Sequence, residues 1–221
     1  ALWFNNQPET GSPGARKEPA KISQNPPGPD QAFNKNQHSI DSPSSIWAVV
    51  NKGRRLPAGY VPRDLRPPDI ALRADGSSPN MWLRIEAAEA LEKMSASAEK
   101  ENLYLKLTSG YRSYSTQTSV YNAEVNNYGK TRADKQSARP GHSEHQTGLA
   151  ADLEPASGEC RLSRCFAETP EGIWLGQHAF EYGFIVRYPK DGESLTGYIY
   201  EPWHIRFVGV ELAQEIRSSA Q

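Results

Sequence analysis

The sequence predicts an α+β fold, an antiparallel sheet flanked by helices, behind a proline-rich tail. Segments whose apolar residues alternate intermix with segments whose apolar residues recur every three to four positions, the periods of strands and helices. The last strand-like segments, "FIVRYP" and "GYIYEPWHIRFVG", follow one another at hairpin-like spacing. Residues 1–44 carry proline, glycine and charge but no apolar period. Such a segment cannot bury enough surface to offset its ordering entropy, so it reads as a disordered linker or tether ahead of one folded domain, residues 45–221.

Order is expected from "SIWAVVNKG", where Ile46, Trp47, Val49 and Val50 suggest a strand ended by Gly53. "LPAGYVPRDLRPPDI" holds too much proline for a helix and should wrap the surface. From Ser78-Pro79 to about Lys100 a helix is predicted, with Ile85, Ala88, Leu91, Met94 and Ala98 inward and Glu86, Glu89, Glu92 and Lys93 outward. "LYLKLTSG" alternates Leu103, Leu105 and Leu107 as a half-buried strand, and "YSTQTSVYNAEVNNYG" should be a short helix closing at Gly129. "KTRADKQSARPG" is expected as a polar loop and "GLAADL" as a strand. In "TPEGIWLGQHAFEYG", Thr169 is the N-cap, Pro170 the first helical residue and Gly183 the stop. "GVELAQEIRSSA" closes the chain as a helix.

Composition narrows the function classes. With 25 Lys and Arg against 26 Asp and Glu, the net charge of −1 offers no electrostatic basis for nucleic-acid binding, and no basic block suggests a membrane patch. No apolar run reaches the ~18 residues of a membrane span. The opening "ALWFNN" is compatible with the stub of an export signal or anchor, the one route by which a membrane would enter. Cys160 and Cys165 are too few for a closed structural zinc site, which takes four ligands. They read as a candidate disulfide that pins a short loop in an oxidising compartment.

The chemistry gathers in "HSEHQTGLAADLEP", residues 142–155, and "YIYEPWHIRF", residues 198–207 within the last strand-like segment. A catalytic zinc site takes three protein ligands and leaves a position for water, with a separate carboxylate in reach as base. His145, Asp152 and His204 are the proposed ligands, and Glu201 the base kept off the metal. In a regular strand residues 201 and 204 face opposite sides, so Pro202 must break the register. Gly148, Ala150 and Ala151 would let the backbone approach closely between the first two ligands. Lone histidines are more often surface or hydrogen-bonded residues, and His38 and His178 fit that description. His142, Glu144 and Glu154 read as bystanders.

These segments carry a family resemblance. "SEHQTGLAAD" resembles the SxHxxGxAxD motif and "EPWH" the ExxH motif of VanY-type D-alanyl-D-alanine carboxypeptidases, a zinc peptidase group that includes lysostaphin-type enzymes and the hedgehog fold. "TSGYRSYSTQ", "GFIVRYP" and "HIRFVG" are similar to further family segments, so the resemblance spans about residues 45–215. It implies a hedgehog- or D-Ala-D-Ala-peptidase-like catalytic domain with one zinc ion on His145, Asp152 and His204. It also implies Glu201 as base, Arg112 as the residue polarising the scissile carbonyl, and Gln117 and Ser143 as substrate contacts. Tyr198 and Trp203 could line the same cleft or serve as core aromatics. The implied reaction removes the C-terminal D-alanine of a peptidoglycan stem peptide, the D,D bond being the first candidate and the L,D bond the second. The implied location is extracytoplasmic: cell surface, periplasm or secreted. The rival class is a silent zinc domain that binds wall peptide or a protein partner.

Overall fold

The computed structural model describes residues 33–219. The "ALWFNN" stub and most of the predicted tether lie outside these residues. Residues 33–44, assigned by composition to the tether, pack on the domain instead. Phe33 and His38 lie against the Trp47 ring, and the Ile40 carbonyl accepts from Val49 N–H. Residues 45–53 form turns and extended chain, not the predicted strand. Trp47 is anchored instead by its indole N–H, which donates to the Val208 carbonyl at 2.8 Å.

Two short strands, β1 (Leu65–Arg66) and β2 (Ala71–Leu72), precede a 3-10 turn at Pro79–Met81. Strand β3 (Leu83–Arg84) pairs with β1 and leads into α1 (Ile85–Glu99). The helix therefore starts later than Ser78-Pro79 suggests, because Trp82, Leu83 and Arg84 are held extended by β1 and by the Gly148 carbonyl. Its buried stripe is Ala87, Ala88, Leu91, Met94, Ser95 and Ala98, while Ile85 stays exposed.

Strand β4 (Leu105–Ser109) is followed by α2 (Tyr114–Tyr128), capped by the Ser113 hydroxyl, which accepts from Thr116 N–H. The segment expected as a polar loop holds α3 (Lys130–Gln136). Its helix lacks an apolar period, and only Ala133 is buried, so periodicity could not reveal it. Strand β5 (Ala150–Pro155) leads to the Cys160–Cys165 disulfide loop. Helix α4 (Pro170–His178) has Thr169 accepting from Gly172 N–H as its cap, and a further 3-10 turn ends at left-handed Gly183. Strand β6 (Phe184–Tyr188), α5 (Glu193–Thr196), β7 (Glu201–Phe207) and α6 (Val210–Ser219) complete the fold.

The main sheet has the order β2-β4-β5-β7-β6. It is antiparallel except at one edge, where the two-residue β2 runs parallel to β4. One face packs against α1 and α4 through Leu107, Ala151, Leu153, Ile205 and Phe207. Side chains alternate along a strand, so Asp152 and His204 project from the opposite face. The alternation breaks in β7: Val186 pairs with Ile205, but Tyr188 pairs with Glu201, leaving extra residues around Pro202-Trp203. This is the interruption that the 201–204 spacing requires.

Gly148 closes the turn before β5 with φ +68°, and an added Cβ would lie 2.7 Å from a Leu65 methyl carbon. Left-handed backbone conformation and contact with β1 thus require glycine here, and metal approach is not the reason. Gly148→Ala should destabilise the protein by at least ~1 kcal/mol. Urea denaturation would report this as a lower midpoint, and an unchanged midpoint would contradict the local geometry.

Candidate metal centre

Three parts of the fold converge on the open face of the sheet. His145 comes from a 3-10 turn, Glu144–Thr147, Asp152 from β5 and His204 from β7. Asp152 and His204 are direct cross-strand partners. One ligand atom from each of the three lies within 4.8 Å of the others, and all three residues are buried. Asp152 joins the rings: its Oδ2 is 3.2 Å from His145 Nε2 and its Oδ1 is 3.0 Å from His204 Nδ1.

The His145 ring is fixed from behind by the "SGYRS" segment. Its Nδ1 is 2.6 Å from the Gly110 carbonyl, which keeps a proton on Nδ1 and turns Nε2 toward Asp152. The Arg112 backbone N–H donates to the His145 carbonyl at 3.1 Å. Gly110 has no room for a side chain, because a Cβ would fall 2.4 Å from the Trp82 carbonyl oxygen.

Two imidazoles and one carboxylate, buried and convergent, are a donor set suited to zinc. Burial works against the charged form of Asp152, but both histidines outweigh it and hold the carboxyl well below the usual range. Burial lowers His145, with Asp152 opposing. Burial also pulls His204 down, but hydrogen bonds with Asp152 and Glu144 prevail and hold it at about 9. A ligating histidine must be neutral, so metal uptake here would displace a proton.

The triad sits in a cleft of about 320 Å³, which Arg112, Ser143, Tyr198, Glu201 and Trp203 also line. Trp203 does both jobs left open by its sequence, since it also packs against the core. Arg112 donates from Nη1 to Gln117 Oε1 and from Nη2 to Ser109 Oγ, each at 3.0 Å. Gln117 differs from its expected role as a substrate contact. It is 1% exposed, its amide NH₂ donates to the Ala138 carbonyl at 2.7 Å, and its side chain is used in holding Arg112. His142 stays out of the triad, with Nδ1 2.8 Å from the Asn51 carbonyl. His178 pairs with Glu181 and stacks on Trp174. Leu162, in the loop closed by Cys160 and Cys165, reaches the rim of the cleft.

Glu144 is the buried residue beside the triad that sequence reasoning missed. Far from a bystander, it is 3% exposed, and its Oε1 accepts from Arg187 Nε at 2.8 Å and Arg206 Nη1 at 3.2 Å. Its Oε2 lies 3.4 Å from His204 Nε2. No local signal in the sequence marks it, because the two arginines that hold it lie far along the chain. Glu154 is also buried, with Arg73 Nη1 3.9 Å away.

This geometry defines a single-ion metal-site domain with an open cleft. Residues 80–210 match the family model VanY, D-alanyl-D-alanine carboxypeptidase, and the chain belongs to that family. A putative carboxypeptidase, YodJ, of Bacillus subtilis (strain 168) is 42% identical over 181 residues, 82% of this chain and 66% of that protein. The chain spans 39% and 62% of D-alanyl-D-alanine carboxypeptidases from Enterococcus faecium and Enterococcus faecalis. Among solved structures, the LdcB LD-carboxypeptidase is 42% identical with a TM-score of 0.78, covering 81% of this chain and 84% of its own. The vancomycin-resistance D,D-pentapeptidase VanY in complex with Zn(II) is 28% identical with a TM-score of 0.63, covering 80% and 94%.

Burial pushes the Glu201 carboxyl up from 4.5 to about 7, with His204 opposing. A raised carboxyl stabilises the fold below its ordinary pKa, and that contribution is lost as pH rises through about 7. Glu201→Gln, which cannot ionise, should therefore make the metal-free protein more stable than the parent at pH 8, by on the order of 2 kcal/mol. The two should be equal near pH 4. Denaturation in excess chelator checks this, and equal stability at both pH values would contradict it.

Proposed function

We propose that this protein is a zinc-dependent carboxypeptidase that removes the C-terminal D-alanine of peptidoglycan stem peptides. The observation carrying this reading is the buried His145–Asp152–His204 triad sharing one cleft with Glu201 and Arg112. Zinc held by the triad would supply a Lewis acid that lowers the pKa of water and polarises a carbonyl.

The chain's own groups account for the remaining work. Glu201 has a carboxyl whose proton affinity is raised by burial, which suits a base that takes a proton from the attacking water and returns it to the leaving amine. Arg112 offers N–H groups not used on Gln117 or Ser109, and its permanent charge favours the oxygen of the scissile carbonyl as that oxygen becomes negative. Ser143, Tyr198 and Trp203 shape the wall against which the peptide would lie. The order of substrates changes from the sequence expectation. The greater likeness to an LD-carboxypeptidase, 42% identical, than to the D,D-pentapeptidase, 28% identical, makes the L,D bond of a tetrapeptide the first to test.

The rival reading, a silent zinc domain that binds wall peptide, has no use for a carboxylate and a guanidinium free of the triad in the same cleft. Stem peptides are exposed outside the membrane, so the reaction is placed there, in keeping with the Cys160–Cys165 disulfide. No helix among the described residues is long and apolar enough to cross a membrane.

Incubation with defined tri-, tetra- and pentapeptide stems, followed by mass analysis, tests the function. Loss of one alanine from the tetrapeptide is expected, abolished by chelator and restored by zinc. Intact stems in the presence of zinc would overturn the reading, and cleavage confined to the pentapeptide would reverse the substrate order. Glu201→Gln should keep zinc and lose about 10²- to 10⁴-fold in turnover. His204→Ala should lose zinc itself, as elemental analysis would show.

A further inference from the structure

We propose that Glu144 is the positioning residue of the metal centre, selecting which nitrogen His204 presents. The inference rests on the zinc reading above and concerns a residue outside the triad. The two histidines are held in opposite senses. His145 is pinned at Nδ1 by the Gly110 carbonyl, which turns Nε2 toward Asp152. His204 meets Asp152 with Nδ1, so its Nε2 points away from the ion site, toward Glu144 Oε2 at 3.4 Å. A hydrogen on Nε2 would leave the Nδ1 lone pair free for the metal. A carboxylate acceptor at Nε2 favours that tautomer and makes the imidazole a stronger donor.

The two arginines keep Glu144 in that role. A mobile carboxylate so close to the triad would compete as a fourth ligand and fill the position that water needs. Arg187 and Arg206 both bond Oε1, and Arg206 is itself fixed by the Ile46 and Ala48 carbonyls at 3.0 and 3.1 Å. The side chain is thereby held with one oxygen on guanidinium groups and the other facing His204. Residues 46 and 48 lie outside the 80–210 family match, so an earlier part of the chain contributes to the support of the site.

Zinc affinity, measured by competition with a chromophoric chelator, tests the proposal on the full chain. Glu144→Gln keeps the shape and an acceptor but removes the charge, and it should bind zinc ~10- to 100-fold more weakly than the parent. Glu144→Asp should restore part of the loss. Circular dichroism in excess chelator identifies which variants are folded before affinity is compared. A folded Glu144→Gln that binds zinc within twofold of the parent would overturn the proposal. A second measurement needs no variant: ¹⁵N-histidine NMR of the zinc-loaded parent should show His145 ligated through Nε2 and His204 through Nδ1 with Nε2 protonated. Ligation of His204 through Nε2 would sink the proposal even if every variant failed to fold. Failure of the parent to bind zinc would instead overturn the underlying metal reading, and Glu144's role with it.

Discussion

The pairing of β5 with β7 is the constraint on which the rest of the site depends. Asp152 faces His204 across the two strands, and Ala150 faces Arg206, so candidate ligands and the guanidinium that binds Glu144 come from one register. The same pairing sends Ala151, Leu153 and Ile205 to the other face, where they pack with Leu91, Met94 and Phe166 in the core. A slip by one residue would exchange the faces, burying a carboxylate and an imidazole against α1. The hydrophobic core therefore specifies the register, and the register brings two of the three candidate ligands together.

Charge balance explains why so many ionisable groups can share this interior. Glu144 is neutralised by Arg187 and Arg206, and both histidines hold Asp152 ionised despite its burial. Breaking any one of these pairs would leave an uncompensated charge out of water, which is far more costly than losing an exposed pair. Without metal, His204 carries part of the positive charge that Asp152 requires. A dication bound by the triad would take over that role as the proton leaves. Protonation and metal binding are thus alternative ways of balancing one carboxylate.

Much of this was legible in the sequence, for local reasons. Thr169, Pro170 and Gly183 delimited a helical segment because capping chemistry acts over a few residues. The 201–204 spacing demanded a broken strand, and the shifted pairing around Pro202 supplies it. What stayed hidden depends on distant partners. Arg187 and Arg206 give Glu144 its place, and neither is near it in sequence. Helix α3 has no apolar period to reveal it, and residues 33–44 look like a tether until Trp47 offers them a surface. Gln117 looked like a substrate contact because motif position does not reveal which side of Arg112 a side chain occupies.

The central claim is that His145, Asp152 and His204 form one zinc site with a position left open. X-ray absorption at the zinc edge of the loaded protein tests it most directly. The account predicts one ion per chain, with two imidazole nitrogens and carboxylate and water oxygens at about 2.0–2.2 Å and no sulfur. A sulfur shell, a single imidazole, or a fully hydrated ion would contradict it.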